Sequence, residues 1–285
     1  MMGSVVVPRR GWPCGFVLVG ELMSGYRFAL AYNALGGPLR EAVTTAALAG
    51  ARGLHFNARD DLQPLDLTGT SLRQFLHVLA EKDLVVASLS FPTRRPLYDE
   101  ERLDARVTAA KQAIELTRRL KASLLTLRVG RLPAADSKEE ATLREVLEDL
   151  ARHGNLHGVI PCLTPGGDGF ERLTTLARSI ATGMVGIDFD PGALAVAGRK
   201  PHELYRDCHD IVPHITARDA VRDLDAEGGA LEVPIGRGEV DWVELLPLLH
   251  EAAFQGWVTV NRTQGTDRAG DVTRGVQYLT RVLFE

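Results

Sequence analysis

The chain has 285 residues, 45% of them hydrophobic and 25% charged, with a formal net charge of -4 and a pI near 6.1. This is ordinary globular composition, and the length suits one large α/β domain as well as two small ones. The acidic balance offers no basic face for a phosphate backbone, so nucleic acid is not an expected partner. No apolar run reaches the roughly 18–20 residues that span a bilayer, so no membrane association is expected either.

Residues 1–26 are expected to lie outside the folded domain, which spans 27–285. Arg9 and Arg10 precede a short apolar stretch, GFVLVG (15–20), which lacks the length and cleavage site of a secretory signal. Either translation starts at Met23 or this segment is a loose extension. Cys14, Cys162 and Cys208 form no CxxC pair, which suits a reducing, cytoplasmic setting.

From Arg27 onward, strand-like and helical runs alternate. The expected strands are FALAYN (28–33), GLHFNA (53–58), LVVASLSF (84–91), SLLTLRVG (123–130), GVIPCLT (158–164), VGIDFD (185–190), IVPHITA (211–217) and WVTVN (257–261). The intervening stretches, such as SLRQFLHVLAEK and SKEEATLREVLEDLARHG, space apolar residues three and four apart. Ser71 and Ser137 read as N-caps, the latter opening a capping box. Eight strands alternating with helices predict an α/β fold, a single (β/α)8 TIM barrel. A doubly wound sheet would want GxGxxG after its first strand, and Asn33-Ala34-Leu35-Gly36-Gly37 does not supply it. Residues 221–242, with four glycines, read as one long loop on the functional face.

Strand side chains alternate, so the apolar parity of each strand faces the helices and the other parity faces the barrel axis. This predicts inward His55 and Asn57, Ser88 and Ser90, Thr126 and Arg128, Asp188 and Asp190, His214, Thr216 and Arg218, and Trp257, Thr259 and Asn261. The last inward residue of each strand lies at the C-terminal mouth, where barrels place their sites. The predicted ligand-binding lining is Asn33, Asn57, Ser90, Arg128, Thr164, Asp190, Thr216 and Asn261, with His214 below it. Hydroxyls and amides with one acid and one guanidinium suit a small polar or sugar-like molecule.

Other groups offer less. His214 and Arg218 are weak catalytic candidates, with Asp219 placed either to orient Arg218 or to cap the following loop. His202, Cys208 and His209 do not share one helix face, so no zinc site is expected there. Gly166-Gly167-Asp168-Gly169 leads into a helix as a phosphate cradle would, but Asp168 is a good N-cap whose charge opposes an anion.

Four pieces in order, Phe189-Asp190-Pro191-Gly192, His214-Ile215-Thr216-Ala217-Arg218-Asp219, Gly236-Arg237-Gly238-Glu239-Val240-Asp241-Trp242 and Gly256-Trp257-Val258-Thr259-Val260-Asn261-Arg262, carry a resemblance. The chain resembles the xylose isomerase-like TIM barrels, the sugar phosphate isomerase/epimerase superfamily, from about Arg27 to the C-terminus. The resemblance implies one divalent metal held by Glu, Asp, His and Glu from the last four strands, with both Glu moving a proton beside a carbonyl. Those positions fall on Thr164, Asp190, Thr216 and Asn261, and Ala193 stands where active relatives often have His. Asp190 is the only retained ligand, so no cofactor is expected beyond weak divalent-metal binding. Neither Thr nor Asn is a base near neutral pH, so the two-Glu mechanism should not run. Arg128, pointing inward, is expected to place a positive charge near Asp190 in the vacated space. Endonuclease-type chemistry would need a multi-metal cluster and a basic face, and is disfavoured. The expected partner is a small polar or sugar-like molecule, with homo-oligomerisation left open.

Overall fold

A computed structural model of the protein describes residues 27–62, 69–165, 169–223, 225 and 229–284. The readings for residues 1–26, and for the Gly166-Gly167-Asp168 cradle, lie outside the described residues.

Eight parallel strands close a barrel: β1 (Arg27–Ala31), β2 (Gly53–Asn57), β3 (Val85–Phe91), β4 (Leu124–Gly130), β5 (Ile160–Pro165), β6 (Gly186–Phe189), β7 (His214–Ala217) and β10 (Trp257–Val260), the last pairing back onto β1. Two further strands, β8 (Asp219–Arg222) and β9 (Ala230–Val233), form an antiparallel hairpin outside the barrel. The long functional-face loop expected over 221–242 is therefore in part this hairpin. The helices are α1 (Tyr32–Leu35), α2 (Leu39–Leu48), α3 (Gly69–Ala80), α4 (Leu103–Arg119), α5 (Lys138–His157), α6 (Phe170–Ser179), α7 (Pro191–Val196), α8 (Pro201–Cys208), α9 (Trp242–Glu251) and α10 (Arg268–Phe284). Among the described residues no helix is long and apolar enough to cross a membrane.

The helices follow their periodicity. In α5 the buried residues are Leu143, Val146, Leu147, Leu150, Ala151 and Gly154, one stripe at three- and four-residue spacing. Each such leucine contributes about 1.5–3 kcal/mol on leaving water. Ser137 Oγ accepts from Glu140 N, and Gly158 ends the helix at φ 66, a left-handed position that glycine adopts without strain. Glu140 reaches back to Asp136 N rather than to the cap residue itself. Ser71 is no N-cap, because α3 already begins at Gly69.

Inside the barrel, Trp257 fills the end where the strands begin, packed with Ala29, Ala87, Leu124, Cys162 and Ile160. Small residues face this indole because little room is left. A Cβ on Gly53 would lie 3.1 Å from the Trp257 ring and 3.0 Å from Ala87 Cβ. On Gly186 it would lie 2.7 Å from the Pro213 side chain. The Arg27 guanidinium stacks on the other face of this plug, 4.7 Å from the indole centroid.

Candidate functional site

Above the plug the interior turns polar. His214, fully buried on β7, places Nδ1 2.7 Å from Asp188 Oδ1 on β6. Asp188 also accepts from Thr216 Oγ1 at 2.8 Å and, through Oδ2, from Thr164 Oγ1 at 2.7 Å. On the far side, His214 Nε2 lies 2.9 Å from both Ser88 Oγ and Thr259 Oγ1, and Ser88 Oγ lies 2.7 Å from His55 Nδ1. With His214 Nδ1–H donating to the carboxylate, Nε2 is left to accept. One chain then runs through the network, His55 donating to Ser88, Ser88 to His214 and His214 to Asp188, with Thr259 Oγ1 beside the same His214 acceptor.

Burial alone would raise the Asp188 pKa, but the adjoining His214 ring and the side-chain bonds from His214, Thr164 and Thr216 outweigh it and hold the carboxyl below its usual range. Burial, and then the neighbouring His214, push His55 down to about 3, so it stays neutral. The sequence Ser88–His214–Asp188 has the order of an activated serine nucleophile. Yet Ser88 and His214 are 0% exposed, so no substrate reaches either. The network is a polar plug in which each buried group has a partner.

Closer to the mouth, Asp190 directly follows β6 and is 1% exposed. Its Oδ1 accepts from Ala193 N at 3.0 Å and caps α7, whose first position is Pro191. Its Oδ2 accepts from Arg218 Nε at 3.0 Å, and the Arg218 Nη2 group closes on the same oxygen. The Asp190 charge, working against burial, raises the Arg218 pKa, so this cation stays charged. Gly192 lets α7 approach, since a Cβ there would sit 2.7 Å from the Arg218 carbonyl. The Asp-Pro-Gly sequence is thus a cap, a first-turn proline and a close contact.

Asp219, 1% exposed, organises the loop beyond β7. Oδ1 accepts from Ala220 N and Val240 N at 3.1 and 3.2 Å; Oδ2 accepts from Gly236 N and Trp242 Nε1 at 2.9 and 3.2 Å. A Cβ on Gly238 would lie 2.0 Å from Asp219 Oδ1, and Gly236 has φ +82 beneath the Tyr278 ring. The Gly-Arg-Gly-Glu-Val-Asp-Trp run is therefore wrapped around one carboxylate.

The predicted residues divide accordingly. Thr164, Thr216, Asp190, His214 and Arg218 come together, and Thr259 and Ser88 join them from the same inward parity. Asn261 follows β10, and its Oδ1 is buried with no hydrogen-bond partner among the described residues. Arg128 pairs in register with Thr164, so it faces the same way, but it stands exposed and makes no bond or ion pair among the described residues. The cation beside Asp190 is Arg218, not Arg128, because strand β7 exits next to β6 while β4 lies two strands away. Asp219 does not orient Arg218; it holds the loop. Asn57 is committed to a local turn, its Oδ1 accepting from Arg59 N and Asp60 N at 2.9 and 3.2 Å. Asn33 is not at a strand end, because β1 stops at Ala31 and the chain turns into α1. His202 faces Glu244 at 3.1 Å while Cys208 is buried, its thiol pushed up to about 12, so the HELYRDCHD run converges on nothing.

The donor set does not fit a divalent cation. The hydroxyl protons of Thr164 and Thr216 point at Asp188, and Asp190 is spent on a guanidinium and a helix N-terminus. Of the four positions, only the Asn261 amide oxygen has no partner among the described residues, and such ions want several oxygens with compensating charge.

A closed parallel barrel with a polar C-terminal mouth defines the class of (β/α)8 proteins. The chain belongs to the xylose isomerase-like TIM barrel family, whose pattern it matches over residues 43–282. Among solved structures it is similar to a xylose isomerase domain protein from Planctomyces limnophilus (21% identity, TM-score 0.77, covering 90% of this chain and 97% of that one). It is also similar to a xylose isomerase-like TIM barrel protein from Mycobacterium smegmatis in complex with magnesium (18% identity, TM-score 0.71, covering 90% and 96%). A D-tagatose 3-epimerase-like protein superposes as well (17% identity, TM-score 0.72, covering 90% and 97%). At these identities the likeness is one of fold. Among curated proteins none matches the chain.

Proposed function

We propose that this protein binds a small polar, sugar-like molecule at the C-terminal mouth of the barrel and does so without a metal, the Arg218–Asp190 pair occupying the place of the metal centre. That pair is the observation that carries the reading. It consumes the one acidic ligand and sets a permanent cation where a Lewis acid would act. The epimerase-like neighbour supports a sugar-like ligand only by shared fold. Asn261 Oδ1 offers an acceptor to a ligand hydroxyl, and the Arg128 guanidinium offers donors at the rim. Among the described residues Asp188 and Asp190 are both committed to partners, which argues against ketose epimerisation by paired carboxylates.

The test is calorimetry of the purified protein against a panel of ketoses, polyols and sugar acids, with and without added Mg²⁺ or Mn²⁺. Binding that is insensitive to the metal, and weakened in Asn261→Ala and Arg128→Ala, is the expected result. Ligand binding that requires Mg²⁺ or Mn²⁺, or epimerisation that appears only with one of them, overturns the reading.

A further inference from the structure

A second cluster of ligand-type side chains lies on the outside of the barrel, between α4 and α5. His153 and His157 are four residues apart on α5, so both rings stand on one helix face, with centroids 4.6 Å apart. Glu115 of α4 meets them across the helix seam, its Oε1 3.1 Å from His153 Nε2. One donor atom from each residue lies within 4.8 Å of the other two. A tetrahedral zinc centre with bonds near 2 Å needs donor atoms roughly 3.4 Å apart. The cluster can tighten to that spacing: the Glu115 side chain is 48% exposed, and His157 is the last residue of its helix.

We propose that Glu115, His153 and His157 form a zinc-class metal site that ties α4 to α5. Two imidazoles and one carboxylate are the borderline donors that favour Zn²⁺, Co²⁺ or Ni²⁺ over Mg²⁺ and Ca²⁺, which want oxygen. The open side faces solvent, where water completes the tetrahedron. Two cations of the same seam are already engaged elsewhere. Lys111 is paired with Asp149 at 2.7 Å, and Arg152 reaches the same carboxylate at 3.7 Å, one turn along the seam. The site is independent of the barrel mouth, where the donors are already committed.

The full chain, stripped with chelator and dialysed, is titrated with Zn²⁺ by calorimetry and with Co²⁺ by visible absorption at neutral pH. The expected result is one equivalent bound, a tetrahedral Co²⁺ spectrum and a higher thermal midpoint with Zn²⁺, all lost in His157→Ala and in Glu115→Gln and retained in Asp190→Asn. Mg²⁺ should give none of these signals. Absence of saturable Zn²⁺ binding overturns the site, as does binding that survives His157→Ala. Metal lost in Asp190→Asn but kept in His157→Ala would place it at the mouth, overturning this site and the metal-free reading together.

Discussion

The two ends of the barrel interior are filled by opposite chemistries. At the end where the strands begin, one indole and a ring of small residues leave no space, and fit is set by volume. Toward the mouth, His214, Asp188, Ser88, His55 and three threonines fill similar space with polar atoms, and fit is set by whether each donor finds an acceptor. The first half tolerates apolar exchange and resists added bulk. The second tolerates shape changes poorly because any loss strands a buried polar group.

Removing one member of the polar half should cost most. His214→Ala leaves the Asp188 carboxylate buried without its main partner, and is expected to lower stability by about 3–5 kcal/mol in urea unfolding. Bulk at the other end should cost less: Gly53→Val, which presses on Trp257 and Ala87, is expected to lose about 1–3 kcal/mol. A drop with Gly53→Val as large as with His214→Ala would erase the distinction.

Only the polar half should respond to acid. His55 stays neutral in the fold down to about 3, whereas the unfolded chain takes up this proton near the ordinary value of about 6.5. Between those values the unfolded state holds more protons, so stability falls as pH falls, by at most about 1.4 kcal/mol per unit. Asp188, held low, adds stability that is present above the unfolded carboxylate value and is lost as pH falls through its folded value. Urea midpoints measured from neutral to acid should therefore slope downward, with a shallower slope in His55→Asn, whose amide can still reach Ser88. An unchanged slope in that variant would remove His55 from the explanation. The smallest effect belongs to the rim: Arg128→Ala is expected to change stability by less than about 0.5 kcal/mol while weakening ligand binding.

Alternation was enough to place His55, Ser88, Asp188, His214, Thr216 and Thr259 inside, because each strand is apolar on the parity facing the helices. Which inward residues meet is set by strand order and stagger, and no local pattern encodes that. So the bond from Asp188 to His214 was unread, and the cation beside Asp190 was assigned to Arg128 on β4 rather than Arg218 just past β7. The hairpin escaped because its strands are four residues each and carry no alternation long enough to register. Asn33 was misplaced for the opposite reason, an apolar run continuing past the strand into a single helical turn. The His153–His157 spacing was visible in Arg-His-Gly-Asn-Leu-His, but its third partner sits 38 residues away on another helix.

The Asp219 carboxylate also decides how the rim of the mouth is held. It grips the hairpin's root, the following glycine turn and the Trp242 indole at once, while Glu232 on β9 accepts from Thr263 N, Thr263 Oγ1 and Gln264 N at 3.0, 2.6 and 2.9 Å. Glu232 pairs in register with Ala220, so both grips sit side by side at the base of the hairpin and rivet that base to the wall of the mouth. Across the barrel, near the end of β4, Arg128 stands exposed, so one side of the mouth is tied down by carboxylates while the other presents a bare cation.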